Sequence, residues 1–168
     1  MFDVSVVYLL RGEDSAQQVL LGEKLTGLGR GKIVGPGGKK EGQETPEQTA
    51  VREVWEEVGI RIAPEALRPM ARIQYPFLGR EQLSQKSHAF VARDFQGDPR
   101  SSEELNPAWW ELSRMPLDRM WADARLWLPR ALAGEFLEAT FEITAANLVH
   151  SSQMTWRHSA EANPKFLS

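Results

Sequence analysis

Glu53, Glu56 and Glu57 crowd into a single turn's length of the segment GKKEGQETPEQTAVREVWEEVGI, which runs from Gly38 to Ile60. If that segment is helical, Glu57 lies four residues and Glu56 three residues after Glu53, and all three carboxylates project from one side. Like charges at those spacings repel by roughly 0.2 to 0.5 kcal/mol per pair on an exposed helix. A hard divalent cation, which takes oxygen ligands, turns the repulsion into a binding site.

The helix that must carry them is marked in the sequence. Val51, Val54, Trp55 and Val58 fall at i, i+3, i+4 and i+7, a stripe that predicts burial against a sheet with the carboxylates directed outward. Thr45 is the expected N-cap, Pro46 suits the first helical position and Gln48 completes a capping box. Gly59 is the expected C-terminal stop. Upstream, Gly35-Pro36-Gly37-Gly38 is incompatible with the interior of a regular helix or strand and predicts a tight turn that brings main chain close to a ligand. Lys39 and Lys40 follow it, so a phosphate there would meet both main chain and positive charge.

The spacing of Gly38, Glu44, Arg52-Glu53-Val54, Glu56-Glu57 and Gly59-Ile60 resembles the Nudix box at every defined position. The resemblance implies an α+β fold, the Nudix α/β/α sandwich with a mixed β-sheet and a loop-helix-loop, and an enzyme that hydrolyses a nucleoside diphosphate linked to another group. It implies a magnesium or manganese site made by Glu53, Glu56 and Glu57 with the carbonyl of Gly37. It also implies support of the box by Gly38, Glu44, Arg52 and Gly59, with Glu44 and Arg52 paired. The chemistry is consistent: cations offset the repulsion between carboxylates and phosphates, orient the phosphate chain and lower the pKa of water. Glu56 or Glu104 is then the candidate proton acceptor.

Composition sets the outer limits. The 168 residues are 42% hydrophobic and 26% charged, which suits one soluble globular domain over residues 1–168, the role of the tail 144–168 being open. A formal charge of −3 without a basic stretch argues against stable nucleic-acid binding. The absence of cysteine excludes disulfides, a thiol nucleophile and a cysteine zinc site, and it argues against an isoprenoid diphosphate isomerase, which shares the fold that the resemblance implies and whose chemistry is associated with a catalytic cysteine. With one acidic and no basic residue in Met1 to Leu10, which reads as a strand rather than a signal peptide, and no apolar run of membrane-span length, the expectation is a cytoplasmic protein, monomeric or weakly dimeric, with no membrane partner.

Strands are predicted at residues 3–10, 19–21, 70–75, 86–92 and 109–112, a second helix from Asp123 to Ala133 kinked at Pro129, and a last sheet strand from Phe136 to Ile143. Within the tail only Gln153 to Arg157 reads as strand. Trp55, Trp110 and Trp127 are expected in core or half-core sites, and His88, His150 and His158 as structural or solvated residues.

Outside the box, LLG at Leu20 to Gly22, the glycines of GLGRGK, SSEELNPAWW at Ser101 to Trp110 and DRMWADARLWLP at Asp118 to Pro129 resemble the human-type MutT homologue branch of the same family. That branch implies hydrolysis of oxidised purine nucleotides such as 8-oxo-dGTP to the monophosphate and pyrophosphate, sanitising the nucleotide pool. Glu104 would assist the metal, Trp121 would stack on the purine and Asp123 would bond its edge. Lys24, Val34 and Lys39 complete the expected substrate-binding set. Val34 replaces an asparagine of the branch, Leu28 a phenylalanine and Ala124 a second aspartate, so the choice of base stays open. The alternatives are a dinucleoside polyphosphate, nucleotide sugar or methylated purine nucleotide as substrate, or a nucleotide-binding module without catalysis.

Overall fold

The computed structural model describes residues 1–158. The elements that position the site are β1 (Phe2–Arg11), β2 (Gln18–Lys24), β3 (Ile33–Val34), β4 (Gly37–Lys39), α1 (Pro46–Val58), β5 (Arg68–Tyr75), β6 (Gln85–Ala92), β7 (Leu105–Glu111), α2 (Ala124–Leu132), β8 (Glu135–Ile143) and β9 (Val149–His158). They form a mixed sheet in the order β3-β2-β1-β6-β5-β8-β9, with β4 paired to β1 and β7 to β2. The β1·β6 and β5·β8 pairs are parallel and the others antiparallel.

Strand alternation builds two cores. Successive side chains of a strand point to opposite faces. Tyr8 and Leu10 of β1, Val19 and Leu21 of β2 and Ala89 of β6 therefore face α2, where Ala124, Trp127, Leu128 and Ala131 join them. Val7, Leu9, Leu20 and Phe90 face the other way, onto Ala50, Val54 and Val58 of α1. A strand covered on both faces is apolar throughout, which is why β1 reads VVYLL in its C-terminal half.

Several sequence expectations need correction. The buried side of α1 is not the Val51, Val54, Trp55, Val58 stripe: Trp55 is 40% exposed, whereas Ala50, Val54 and Val58 are fully buried. The helix is rolled so that this ridge of small side chains meets the sheet, and Glu53 and Glu57, each one position before a buried valine, come to its edge rather than pointing outward. Trp55 is instead covered by the guanidinium groups of Arg61 and Arg100, at 4.4 and 5.2 Å from its ring. The glycine-rich turn also contains strand: Gly37 and Gly38 lie opposite Val6 and Ser5 of β1. A Cβ on Gly37 would stand 2.1 Å from the Ser5 carbonyl oxygen, so this close pairing requires glycine.

β7 begins at Leu105 rather than Trp109, held by seven register pairs to β2. β8 is not the last strand, because Thr144 to Leu148 turn the chain back into β9. The tail after His158 lies outside the described residues. α2 continues through Pro129.

Candidate metal and nucleotide site

The start of α1 is fixed by reciprocal bonds: the Gln48 N–H donates to Thr45 Oγ1 at 3.1 Å and the Thr45 N–H to Gln48 Oε1 at 2.9 Å. Gly59, at φ 71°, ends the helix in the left-handed conformation. Between these limits α1 presents Glu53 and Glu57 to β4. The Gly37 N–H donates to Glu57 Oε2 at 3.3 Å. Gly38 lies so near Glu53 that a Cβ there would be 2.4 Å from its carboxyl carbon.

Glu104 arrives from the loop before β7, whose backbone is pinned by the Leu25 N–H donating to the Glu104 carbonyl at 2.9 Å. Carboxylate oxygens of Glu53, Glu57 and Glu104 lie within 4.8 Å of one another. Glu53 and Glu57 are each only 9% exposed. Burial pushes the Glu57 carboxyl up to about 8; the Gly37 bond opposes this, the charges of Glu53 and Glu104 add to it, and Lys24 opposes it. Burial also raises Glu53, against the pull of Arg52. A half-buried group of oxygen donors with unbalanced negative charge fits a hard divalent cation.

Glu56 does not join that cluster. Its half-exposed side chain pairs with Arg52 Nη1 at 3.2 Å. Arg52 is the hub of the loop: Nε and Nη2 donate to the two Glu44 oxygens at 2.7 and 2.9 Å, Nη1 to Glu53 at 2.9 Å, and Nη2 also to the Lys39 carbonyl at 2.8 Å. The forked bond from Arg52 holds Glu44 down to about 2, and Glu44 in turn raises Arg52. Lys39 itself carries its ammonium over Phe2, 4.6 Å from the ring centre.

On the α2 side, Trp121 stands edge to face with Phe77 at 6.0 Å, beside Gly29 and with Lys32 Nζ 5.2 Å from its ring centre. Asp123 is 3% exposed. It occupies the N-cap position of α2 yet makes no side-chain cap bond. Instead its Oδ2 accepts from Tyr75 Oη at 2.7 Å and Trp127 Nε1 at 2.8 Å. Val34 is not brought to this place; it packs against the α1-side core.

Reading by sequence missed Tyr75. Its signal was weak, a hydroxyl at the end of a strand rather than part of a motif. Trp127 lies in the core, as its pattern predicts, and its i+4 spacing from Asp123 also brings its indole N–H to that carboxylate.

Residues 1–131 match the NUDIX domain profile. The chain belongs to the Nudix family. Over 115 residues it is 40% identical to the oxidized purine nucleoside triphosphate hydrolase of Danio rerio, covering 68% of this chain and 72% of that protein. The mouse protein of the same name is 38% identical over 116 residues, covering 69% and 72%. The MutT protein of Bacillus halodurans superposes with a TM-score of 0.75 at 24% identity, over 92% of this chain and 97% of that one. The mixed sheet with a helix on either side is thus the α+β Nudix fold of MutT structures. Among the described residues no helix is long and apolar enough to cross a membrane.

Proposed function

We propose that the protein is a Nudix nucleoside triphosphate pyrophosphohydrolase that cleaves oxidised purine nucleotides to the monophosphate and pyrophosphate. The observation that carries this reading is the convergence of Glu53 and Glu57 of the Nudix box with Glu104 from the loop before β7, in a chain similar to two oxidized purine nucleoside triphosphate hydrolases. Glu53, Glu57 and Glu104 would hold magnesium or manganese. When bound, the cation offsets the charge between carboxylates and phosphates and makes an adjacent water easier to deprotonate. Glu56, outside the cluster and half-exposed, is the carboxylate left to accept the water's proton. Arg52 keeps one Glu56 oxygen and the Glu53 carboxylate in place while bracing Glu44 and the Lys39 carbonyl. Lys24, whose charge favours ionised Glu57, also meets the phosphates. Trp121 receives the base and Asp123 bonds its edge.

Turnover of a panel of oxidised, methylated and normal purine triphosphates, nucleotide sugars and dinucleoside polyphosphates in water labelled with heavy oxygen tests this directly. The expected result is preferred cleavage of an oxidised purine triphosphate, with label in a single product. Preferred cleavage of another class replaces the substrate; no turnover of any of them by a metal-loaded, folded protein overturns the hydrolase reading.

A further inference from the structure

The carboxyl group of Asp123 reports its own proton arrangement. An indole N–H can only donate, so Trp127 Nε1 at 2.8 Å requires Oδ2 to be an acceptor. Oδ2 therefore carries no proton, and the phenol of Tyr75, 2.7 Å from the same atom, must donate as well. Two donors fill the lone pairs of Oδ2, and any proton on Asp123 sits on Oδ1. Among the described residues neither side-chain donor goes to Oδ1, and no Lys or Arg forms an ion pair with the group.

The placement is costly unless it serves something. An aspartate at an N-cap ordinarily accepts from the first turn of its helix. Asp123 gives up that bond and buries its carboxyl group two residues beyond Trp121. Tyr75 from β5 and Trp127 from α2 donate to it, and Tyr8 of β1, edge to face with Trp127 at 6.2 Å, feels its charge. Burial favours protonation, and the bonds from Tyr75 and Trp127, with a smaller contribution from the backbone N–H of Asp123 itself, oppose it. The two donors on Oδ2 are thus the larger part of what keeps a proton off Oδ1.

We propose that Tyr75 is a specificity-setting positioning residue, which together with Trp127 commits Oδ2 so that Oδ1 alone reads the purine, as an acceptor matched to a guanine-type edge bearing N–H at position 1. An adenine-type edge offers an unprotonated ring nitrogen there and meets acceptor against acceptor. The proposal rests on the nucleotide-binding role given to Asp123 above and assigns the polarity of that contact to a hydroxyl that never touches the ligand.

The test is Tyr75→Phe, which keeps the ring stacked at 6.1 Å on Phe141 and removes only the donor. Melting curves check that it folds. For guanine-type against adenine-type triphosphates, oxidised and normal, the ratio of kcat/KM should fall about tenfold, the scale of a hydrogen bond to a charged group, mainly through KM. The acidic limb of kcat/KM for the guanine-type substrate should move to higher pH while kcat moves little. In an Asp123→Asn background the same substitution should leave the ratio unmoved, since no proton remains to be set. An unchanged ratio and pH profile in folded Tyr75→Phe overturns the proposal, as does an equal effect in the Asp123→Asn background. If the wild type cleaves no purine triphosphate, the hydrolase reading fails by itself. Calorimetric binding of guanosine and adenosine monophosphates then reads the same ratio, with equal discrimination by wild type and Tyr75→Phe overturning the proposal.

Discussion

Gly38 and Glu57 define the site at the smallest scale. A methyl group at position 38 would meet the Glu53 carboxyl carbon at 2.4 Å, and that carboxyl group is the far end of a flexible side chain. Gly38→Ala should therefore fold with a near-normal melting temperature but displace Glu53, weakening manganese binding by at least about tenfold in a calorimetric titration. Glu57 gives a pH dependence of definite sign. Its folded value, about 8, lies above its ordinary value of 4.5, so its contribution to stability is complete below pH 4.5 and is lost as pH rises through 8. Metal-free protein should lose on the order of 1–2 kcal/mol between pH 6.5 and 8.5 by urea unfolding, and Glu57→Gln should flatten that slope. The proximity of Glu53 and Glu57 was legible because the box fixes their spacing on one helix, whereas Glu104 lies outside the box and was marked only by the resemblance of SSEELNPAWW. The lock on Asp123 was not, since Tyr75 is 48 residues away in sequence and no local pattern joins them.

At the scale of the element, α1 divides what periodicity can reveal from what it cannot. Its ends were readable because caps are local chemistry, and both capping-box bonds form. Its buried side was misread because apolar character alone favoured Trp55 over Ala50, whereas contact with the sheet rewards a small ridge and leaves the indole to Arg61 and Arg100. β4 was missed because glycine argues against strand by propensity, although here the absent Cβ is what permits pairing with β1. Loss of the cap should loosen the helix that carries the carboxylates: Thr45→Ala is expected to cost about 1 kcal/mol in thermal or denaturant unfolding, with metal affinity lowered less than by Gly38→Ala. β9 was only half visible, being a largely exposed edge whose polar residues satisfy no core pattern.

For the whole molecule, the two cores carry the fold and the carboxylates draw on it. The alternating strands and the two helices place acidic groups on the α1 side and Asp123 with Trp121 on the α2 side, with β1 running between them. Because the acidic group is already gathered, cation binding stabilises the folded state by mass action. Manganese at about a hundredfold its dissociation constant should add about 2.7 kcal/mol, raising the melting temperature by about 5–10 °C for a chain of this size. Glu57→Gln should lose most of that rise, which differential scanning calorimetry can measure.

The central claim is that the gathered carboxylates make this a metal-dependent diphosphate hydrolase. It is tested most directly by the initial rate of pyrophosphate release from an oxidised purine triphosphate, with saturating magnesium or manganese, by wild type and Glu57→Gln at equal folded concentration. Metal-dependent turnover by the wild type and a fall of about a thousandfold in the variant are expected, on the scale of losing a group that stabilises transition-state charge. A folded Glu57→Gln protein releasing pyrophosphate at close to the wild-type rate would contradict the account.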